Sequence, residues 1–527
     1  MLPREAGGAP AEAALCSVCW PAGAALGTME RSAHTSTPAV ANPFPRLPLG
    51  GRALTLLLGG LLAAGAAGQA FAESPVLARN PFAAAPAPAP GPANPLVRVL
   101  LLQAGVVEPR AIGGPLRVLD AQGRELLLLP AGERLRISRE GPVLRLERPD
   151  SSDPLAAAPL RLPLQVVSLE PAPPAVSVAR GAGPGLVGLG RRAYRGALQL
   201  RPEGAALMAL NRIPLELYLP SVVGSEMPAR WPAAALEAQA VAARTYALAQ
   251  IRPAAPYDLK ATGASQAYLG VEAETDSTRA AVAATRALVL RHGGALIDAV
   301  FHSSSGGSTE NSGELWNRQM PYLVSVPDRD DQSPWRQWTL RFEPEQLRRA
   351  FRETDGANRI EVLAASSTGR VRMARVIGPA GSLDLSGSEL RQRLGLRSTL
   401  VRFRFEQPLT PGPVGGITTA TARANAEAAG LAASGPPPPP PLPGGDQQLG
   451  RSALASTSGV EPPGSAQLGQ EPLVAPLPAL EVVGRGFGHG VGMSQWGAYA
   501  LAVRGKDYGS ILRYYYRGAE LAPYARP

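Results

Sequence analysis

Between Pro95 and about Leu215, apolar residues recur in short runs, Val97–Leu102, Glu125–Leu129, Val143–Leu146 and Leu164–Leu169, each bounded by Gly, Pro or Asp. Short apolar runs so punctuated predict β-strands, and their regular spacing predicts an all-β stretch. From Pro232 the pattern changes. Residues 233–248 are mostly strong helix formers behind a proline whose missing N–H costs nothing in a first turn, which predicts the surest helix of the chain. A second helix is predicted over Asp276–Ala287 with Asp276 as its cap. A strand pair should follow, Ala287–Arg291 and Ala295–His302, turning at Gly293–Gly294. The class this implies is α+β: a β-rich unit built around an Ala-rich helix.

Composition divides the chain further. Gly (58) and Pro (55) make up about a fifth of the 527 residues and are clustered. Ala/Pro alternation between Glu73 and Asn94 predicts an extended tether. Residues 408–480, with an unbroken proline run at Pro436–Pro441, bury too little apolar surface to offset chain entropy, and predict a disordered insertion. Beyond it lie Gly484–Ala498 and Ile511–Tyr516, a segment too short to own a core and therefore expected to pack back onto the preceding region. The predicted organisation is thus an N-terminal extension and signal (1–72), a tether (73–94), a β-rich part (95–215), a catalytic core (216–407), the insertion (408–480) and a C-terminal motif completing the core (481–521).

The net charge of +10 comes from dispersed arginines. No dense Lys/Arg run is present, so a nucleic-acid-binding arm is not indicated; a basic surface attracts polyanions of several kinds. Export is more informative. The apolar stretch Ala53–Gly68 follows Arg46 and Arg52 and ends in Ala70-Phe71-Ala72, the small-x-small pattern that signal peptidase accepts, so cleavage is expected before Glu73 and the rest in the periplasm or cell wall. An uncleaved membrane anchor is the alternative, for which the run is short and Gly-rich. Such a signal starts near an N-terminus, which makes Met29 a candidate start. Cys16 and Cys19 both lie upstream of the cleavage point, leaving a mature chain without disulfide or thiolate metal site.

Candidate chemistry concentrates in five groups of residues. Glu226 ends an apolar run (217–225) just before a loop with Pro228 and Pro232. A partly desolvated carboxyl there suits proton donation near neutral pH; the alternative is a helix-side carboxylate serving backbone N–H groups. Arg244 falls on or beside the packed face of the Ala-rich helix and needs an anion, for which Glu226, Glu237 or a sugar acid qualify, unless its head reaches water. The loop Ser304–Gly307 offers hydroxyls and the N–H groups of Gly306 and Gly307 to sugar oxygens; no G-x-S-x-G elbow supports a nucleophilic serine. His302, His489, Glu310 and Glu314 could be drawn as a zinc site, but no H-E-x-x-H exists, and structural or substrate-contacting histidines are the favoured reading. Gly484–Ala498 lacks the lysine of a phosphate loop; glycines around His489 and Trp496 point instead to backbone pressed against a ligand.

Four ordered motifs, Val223-Gly-Ser-Glu-Met-Pro228, Ala238-Gln-Ala-Val-Ala-Ala-Arg-Thr-Tyr-Ala247, Ser304-Ser-Gly-Gly307 and Gly488-His-Gly-Val-Gly-Met-Ser-Gln-Trp-Gly-Ala498, resemble the SpoIID/LytB family of sporulation stage II protein D and amidase-enhancer proteins. The resemblance spans roughly Pro95 to Leu521. It implies a lytic transglycosylase acting between N-acetylmuramic acid and N-acetylglucosamine of peptide-stripped glycan strands, with Glu226 as the essential acid. It places Arg244 in the site, with Tyr246, Ser304, Ser305, Gly306, Gly307, His489, Ser494 and Gln495 expected to position the sugars. Some members hold zinc through His and Cys near the S-G-G loop; this chain has no cysteine there, and neither metal nor other cofactor is expected. Peptidoglycan strands are the implied partner, with a cell-wall amidase as the second; a non-enzymatic glycan-binding enhancer is the rival function.

Overall fold

The computed structural model describes residues 94–173, 185–316, 318–406 and 478–524. The signal, the Cys16/Cys19 pair, nearly all of the tether and all but the last residues of the insertion lie outside these. The described residues form two compact units, one running up to Val300 and including 501–513 and 518–524, the other comprising Phe301–Ala500 and Tyr514–Arg517. Helices and strands are mixed throughout, as an α+β fold requires. Among the described residues no helix is long and apolar enough to cross a membrane.

The first unit is built on a seven-stranded sheet in the order Leu259–Lys260, Leu96–Ala104, Ala206–Pro214, Ala197–Glu203, Val167–Pro171, Leu116–Leu119, Glu125–Leu129. Alternation sends Val97 and Val99, Leu116 and Val118, Leu198 and Leu200 into the core. A four-stranded sheet joins Val106–Val107, Arg136–Glu140, Val143–Glu147 and Leu160–Pro163. The expected strands are present, except that Leu164–Leu169 becomes Val167–Pro171.

Three helices follow: α1 (Leu215–Glu226), α2 (Ala233–Ala249) and α3 (Asp276–Ala284). The periodicity of 217–225 gave no sign of α1, because 10 of its 12 residues are buried and it has no polar face to show. Expectation and structure differ at α3. Its cap is Thr275, in a capping box with Thr278, and it stops at Ala284 because Thr285 leaves helical geometry and Ala287 takes a positive φ of 59°. The hairpin turns at Gly293–Gly294 as expected, but its second strand is only Ala295–Leu296; Phe301–His302 pairs in parallel with Met493–Ser494 instead.

In the second unit, Ala479–Gly484 lies between Trp338–Phe342 and Val401–Glu406, so order resumes two residues before Glu481. This sheet shares a core of Trp338, Leu347, Phe351, Val376, Leu390, Leu480 and Val482 with the hairpin sheet Arg359–Ala365, Val371–Gly378, Gly381–Ser386.

Candidate active site

Glu226 is the last residue of α1, and the chain leaves the helix at Met227, whose extended backbone still donates its N–H to the Val223 carbonyl (2.9 Å). One side of α1 carries only small residues. A Cβ on Gly224 would sit 1.9 Å from the Ala273 carbonyl oxygen, so only glycine lets the helix reach the 271–273 turn. Ser221 Oγ donates to the Gly270 carbonyl (2.7 Å), and Ser225 Oγ accepts from the Leu269 N–H (3.2 Å). These contacts lay the segment 266–273 along the helix. That segment then holds the carboxyl: Ala267 N–H donates to Glu226 Oε1 at 2.8 Å, with Glu226 only 7% exposed.

Tyr218, two turns back on α1, donates its hydroxyl to Gln266 Oε1 (3.1 Å), and Gln266 Nε2 donates to the Ala243 carbonyl of α2 (3.1 Å). Burial, and then the nearby Glu226 and Tyr246, push the Tyr218 phenol well above its ordinary range, so it stays neutral. Its ring packs on Tyr268 and Tyr268 on Tyr194, with centroids 4.8 and 5.5 Å apart, and Tyr268 is fixed by its hydroxyl to Asn211 Oδ1 (2.8 Å). Glu226 and the half-buried Tyr246 thus share a rigid aromatic neighbour.

Arg244 needs correction. Its anion is Glu216 in the first turn of α1, which none of the three candidates anticipated: Nε and Nη2 make a bidentate pair at 2.7 and 2.9 Å. The remaining donors reach the carbonyls of Val282 and Leu288 at 3.2 Å. The guanidinium is fully buried and ties α1 and α2 to the segment at the end of α3; no donor of it is left for a sugar.

In the second unit the structure brings Ser304–Gly307 and the Gly-rich motif together, Ser304 bridging to Phe487. The groups expected to face sugar have protein partners. Ser304 Oγ and Gly306 N–H donate to Asp330 Oδ2 (2.5 and 2.8 Å), Ser305 Oγ donates to Asp328 Oδ2 (2.7 Å), and Gly307 N–H donates to Ser305 Oγ (3.1 Å). Ser494 bonds Asp328 and caps the following helix through Gly497 N–H (3.2 Å); Gln495 is buried at that helix start. Gly497 has no room for a side chain, since a Cβ would lie 1.9 Å from Asp328 Oδ1 and 2.0 Å from the Tyr515 hydroxyl. Below the loop, Arg370 gives Nη2 to the carbonyls of Ser305 and Ser308 (2.6 and 3.1 Å) and lies 3.7 Å from Glu310.

Burial and the charge of the neighbouring Asp330 push Asp328 above the usual carboxylate range, against the hydroxyls that lower it. Desolvation first, then Arg391 and Arg370, lower His489 to about 3, and its Nδ1 accepts the Val491 N–H (3.1 Å). His302, lowered mainly by burial, stands 5.4 Å away ring to ring, and the half-buried Trp316 packs on His489 at 5.6 Å. Among the described residues no group of three or more His, Cys, Asp or Glu is arranged to hold a metal ion. Glu216, Gln266, Asp328, Asp330 and Arg370 organise these regions without any local motif; Asp328-Arg-Asp330 after a proline was the only visible cue.

The helices around Glu226 are also where the chain resembles known proteins. The family model for Stage II sporulation protein matches residues 203–292, which hold α1, α2, α3 and Glu226. The chain is 30% identical over 325 residues to the amidase enhancer of Bacillus subtilis (strain 168), covering 58% of this chain and 40% of that protein. It is 27% identical over 336 residues to stage II sporulation protein D of the same organism (60% and 77% covered) and 28% over 333 residues to that of Bacillus amyloliquefaciens (60% and 76%). The likeness to the SpoIID/LytB family thus centres on residues 203–292, and the chain spans 40% of the length of the amidase enhancer.

Proposed function

We propose that this protein is an exported peptidoglycan lytic transglycosylase that cleaves the MurNAc–GlcNAc bond of peptide-stripped glycan strands with Glu226 as its single acid and base. The observation that carries the reading is the setting of Glu226: buried, hydrogen-bonded through one oxygen by a backbone N–H, and at the carbonyl end of α1. Burial shields the carboxyl from water and the Ala267 N–H fixes one of its oxygens, which suits a group that must deliver a proton to a single bond. Glu226 gives its proton to the glycosidic oxygen as the C1–O bond breaks. The carboxylate then takes the proton of the muramic acid 6-hydroxyl as that oxygen closes on C1, leaving a 1,6-anhydro end and no need for water.

Tyr246, half-buried beside Tyr218, is the neighbour placed to meet a sugar; Arg244 acts from behind, by fixing α1 against α2. The Ser304–Gly307 loop, Ser494 and Gln495 act as internal scaffolding, and His489 with Trp316 supplies the partly open aromatic surface of the second unit for a glycan. The test is incubation with peptide-free strands: fragments lighter by one water than hydrolytic products support the reading, and hydrated or absent fragments contradict it. A second reading, a non-enzymatic enhancer of a wall amidase, is favoured by the relative named amidase enhancer; stimulation of an amidase without any glycan fragment would select it.

A further inference from the structure

Gln239 belongs to the A-Q-A-V-A-A-R-T-Y motif, yet nothing described so far uses it. It is fully buried, and neither Oε1 nor Nε2 has a hydrogen-bond partner among the described residues. A buried amide with donor and acceptor both unmade is costly and calls for a reason.

Helix geometry says where it faces. At about 100° per residue, Gln239, Ala243 and Tyr246 fall in one stripe of α2 about 60° wide. Ala243 receives Gln266 Nε2, Gln266 Oε1 receives the Tyr218 hydroxyl, and the next residue, Ala267, holds Glu226. On α1, Tyr218, Val222 and Glu226 form the matching stripe at four-residue steps, with Val222 fully buried. The 227–232 connection joins the Glu226 end of α1 to the start of α2. Gln239 lies one turn nearer that end than Ala243, and helical side chains lean toward the N-terminus, which carries its amide further toward Glu226.

We propose that Gln239 is the positioning residue for Glu226, its amide meeting the carboxyl in both protonation states by rotation of its last torsion. Nε2 donates to the ionised form and Oε1 accepts from the protonated one; a charged residue could serve only one of the two. The inference rests on the reading of Glu226 as a group that alternates between acid and base.

Two measurements on the full chain test it. With glutamine side chains labelled with ¹⁵N, and the Gln239 amide assigned by its disappearance in Gln239→Leu or Gln239→Met, that resonance should shift with pH in the wild type and stay fixed in Glu226→Gln. On peptide-free glycan strands, Gln239→Leu should lower kcat at least about tenfold with KM nearly unchanged. The midpoint of the pH limb belonging to Glu226 should also move upward, because of the two bonds lost the charge-assisted one to the anion is the stronger. A wild-type amide resonance indifferent to pH, or a Gln239→Leu enzyme with the wild-type kcat and pH profile, overturns the proposal. If the wild type cuts no strands, the activity reading fails by itself, while the labelled amide still decides whether Gln239 and Glu226 are coupled.

Discussion

The surroundings of Glu226 and those of Ser304 hold motifs that look equally ready for chemistry, yet the two regions use their polar groups in opposite ways. Around Ser304 the serine hydroxyls and the Gly306 N–H are spent on two buried aspartates, and Gly497 leaves the room that Asp328 occupies. Around Glu226 the serines and Gly224 instead bring a neighbouring segment onto α1, whose Ala267 N–H fixes one oxygen of the carboxyl, while the facing helix carries an amide with no hydrogen-bond partner among the described residues. A polar motif is therefore scaffolding or site according to whether its own fold already satisfies it.

That contrast can be broken at graded cost. The largest effect on stability is expected at the bidentate pair: Arg244→Met leaves Glu216 buried without its cation and should cost about 3–5 kcal/mol by denaturant titration. Pairing it with Glu216→Leu should restore most of that loss; no restoration would mean that Arg244 acts on something other than Glu216. In the second unit, Asp330→Ala strips partners from the Ser304 hydroxyl and the Gly306 N–H together, for about 2–4 kcal/mol. A near-neutral result would return those groups to solvent or sugar, against the scaffold account.

The second unit should also carry opposed pH dependences. His489, neutral when folded, contributes stability that is complete above its ordinary value of 6.5 and is lost as pH falls toward about 3. Asp328, with a folded pKa above its unfolded one, contributes stability present below the ordinary carboxylate value and lost as pH rises through the folded one. Thermal melts of His489→Gln and Asp328→Asn across this range should each flatten one slope. Smallest is Tyr218→Phe, expected to cost about 1 kcal/mol for the lost bond to Gln266; a larger loss would make that hydroxyl more than a strut.

Much of this was legible beforehand, and the exceptions have physical causes. Strands at Val97 and Glu125 and the helix at 233–249 announce themselves through alternation and composition. Helix α1 does not, because burial on nearly every side erases its periodicity. The motifs single out Glu226 and Tyr246 as candidates, whereas Glu216, 28 residues from Arg244, could be paired with it only in space. The same holds for Asp328 and Asp330, which decide the fate of Ser304 and Ser305 from 23 to 26 residues away.

The most direct test of the account is glycan cleavage by the full chain and by Glu226→Gln, compared at equal folded fraction by near-ultraviolet circular dichroism. The account predicts anhydro-ended fragments from the wild type and a loss of at least about a hundredfold in the variant, the low end of what a general acid contributes. Anhydro fragments released at the wild-type rate by a folded Glu226→Gln protein would contradict it.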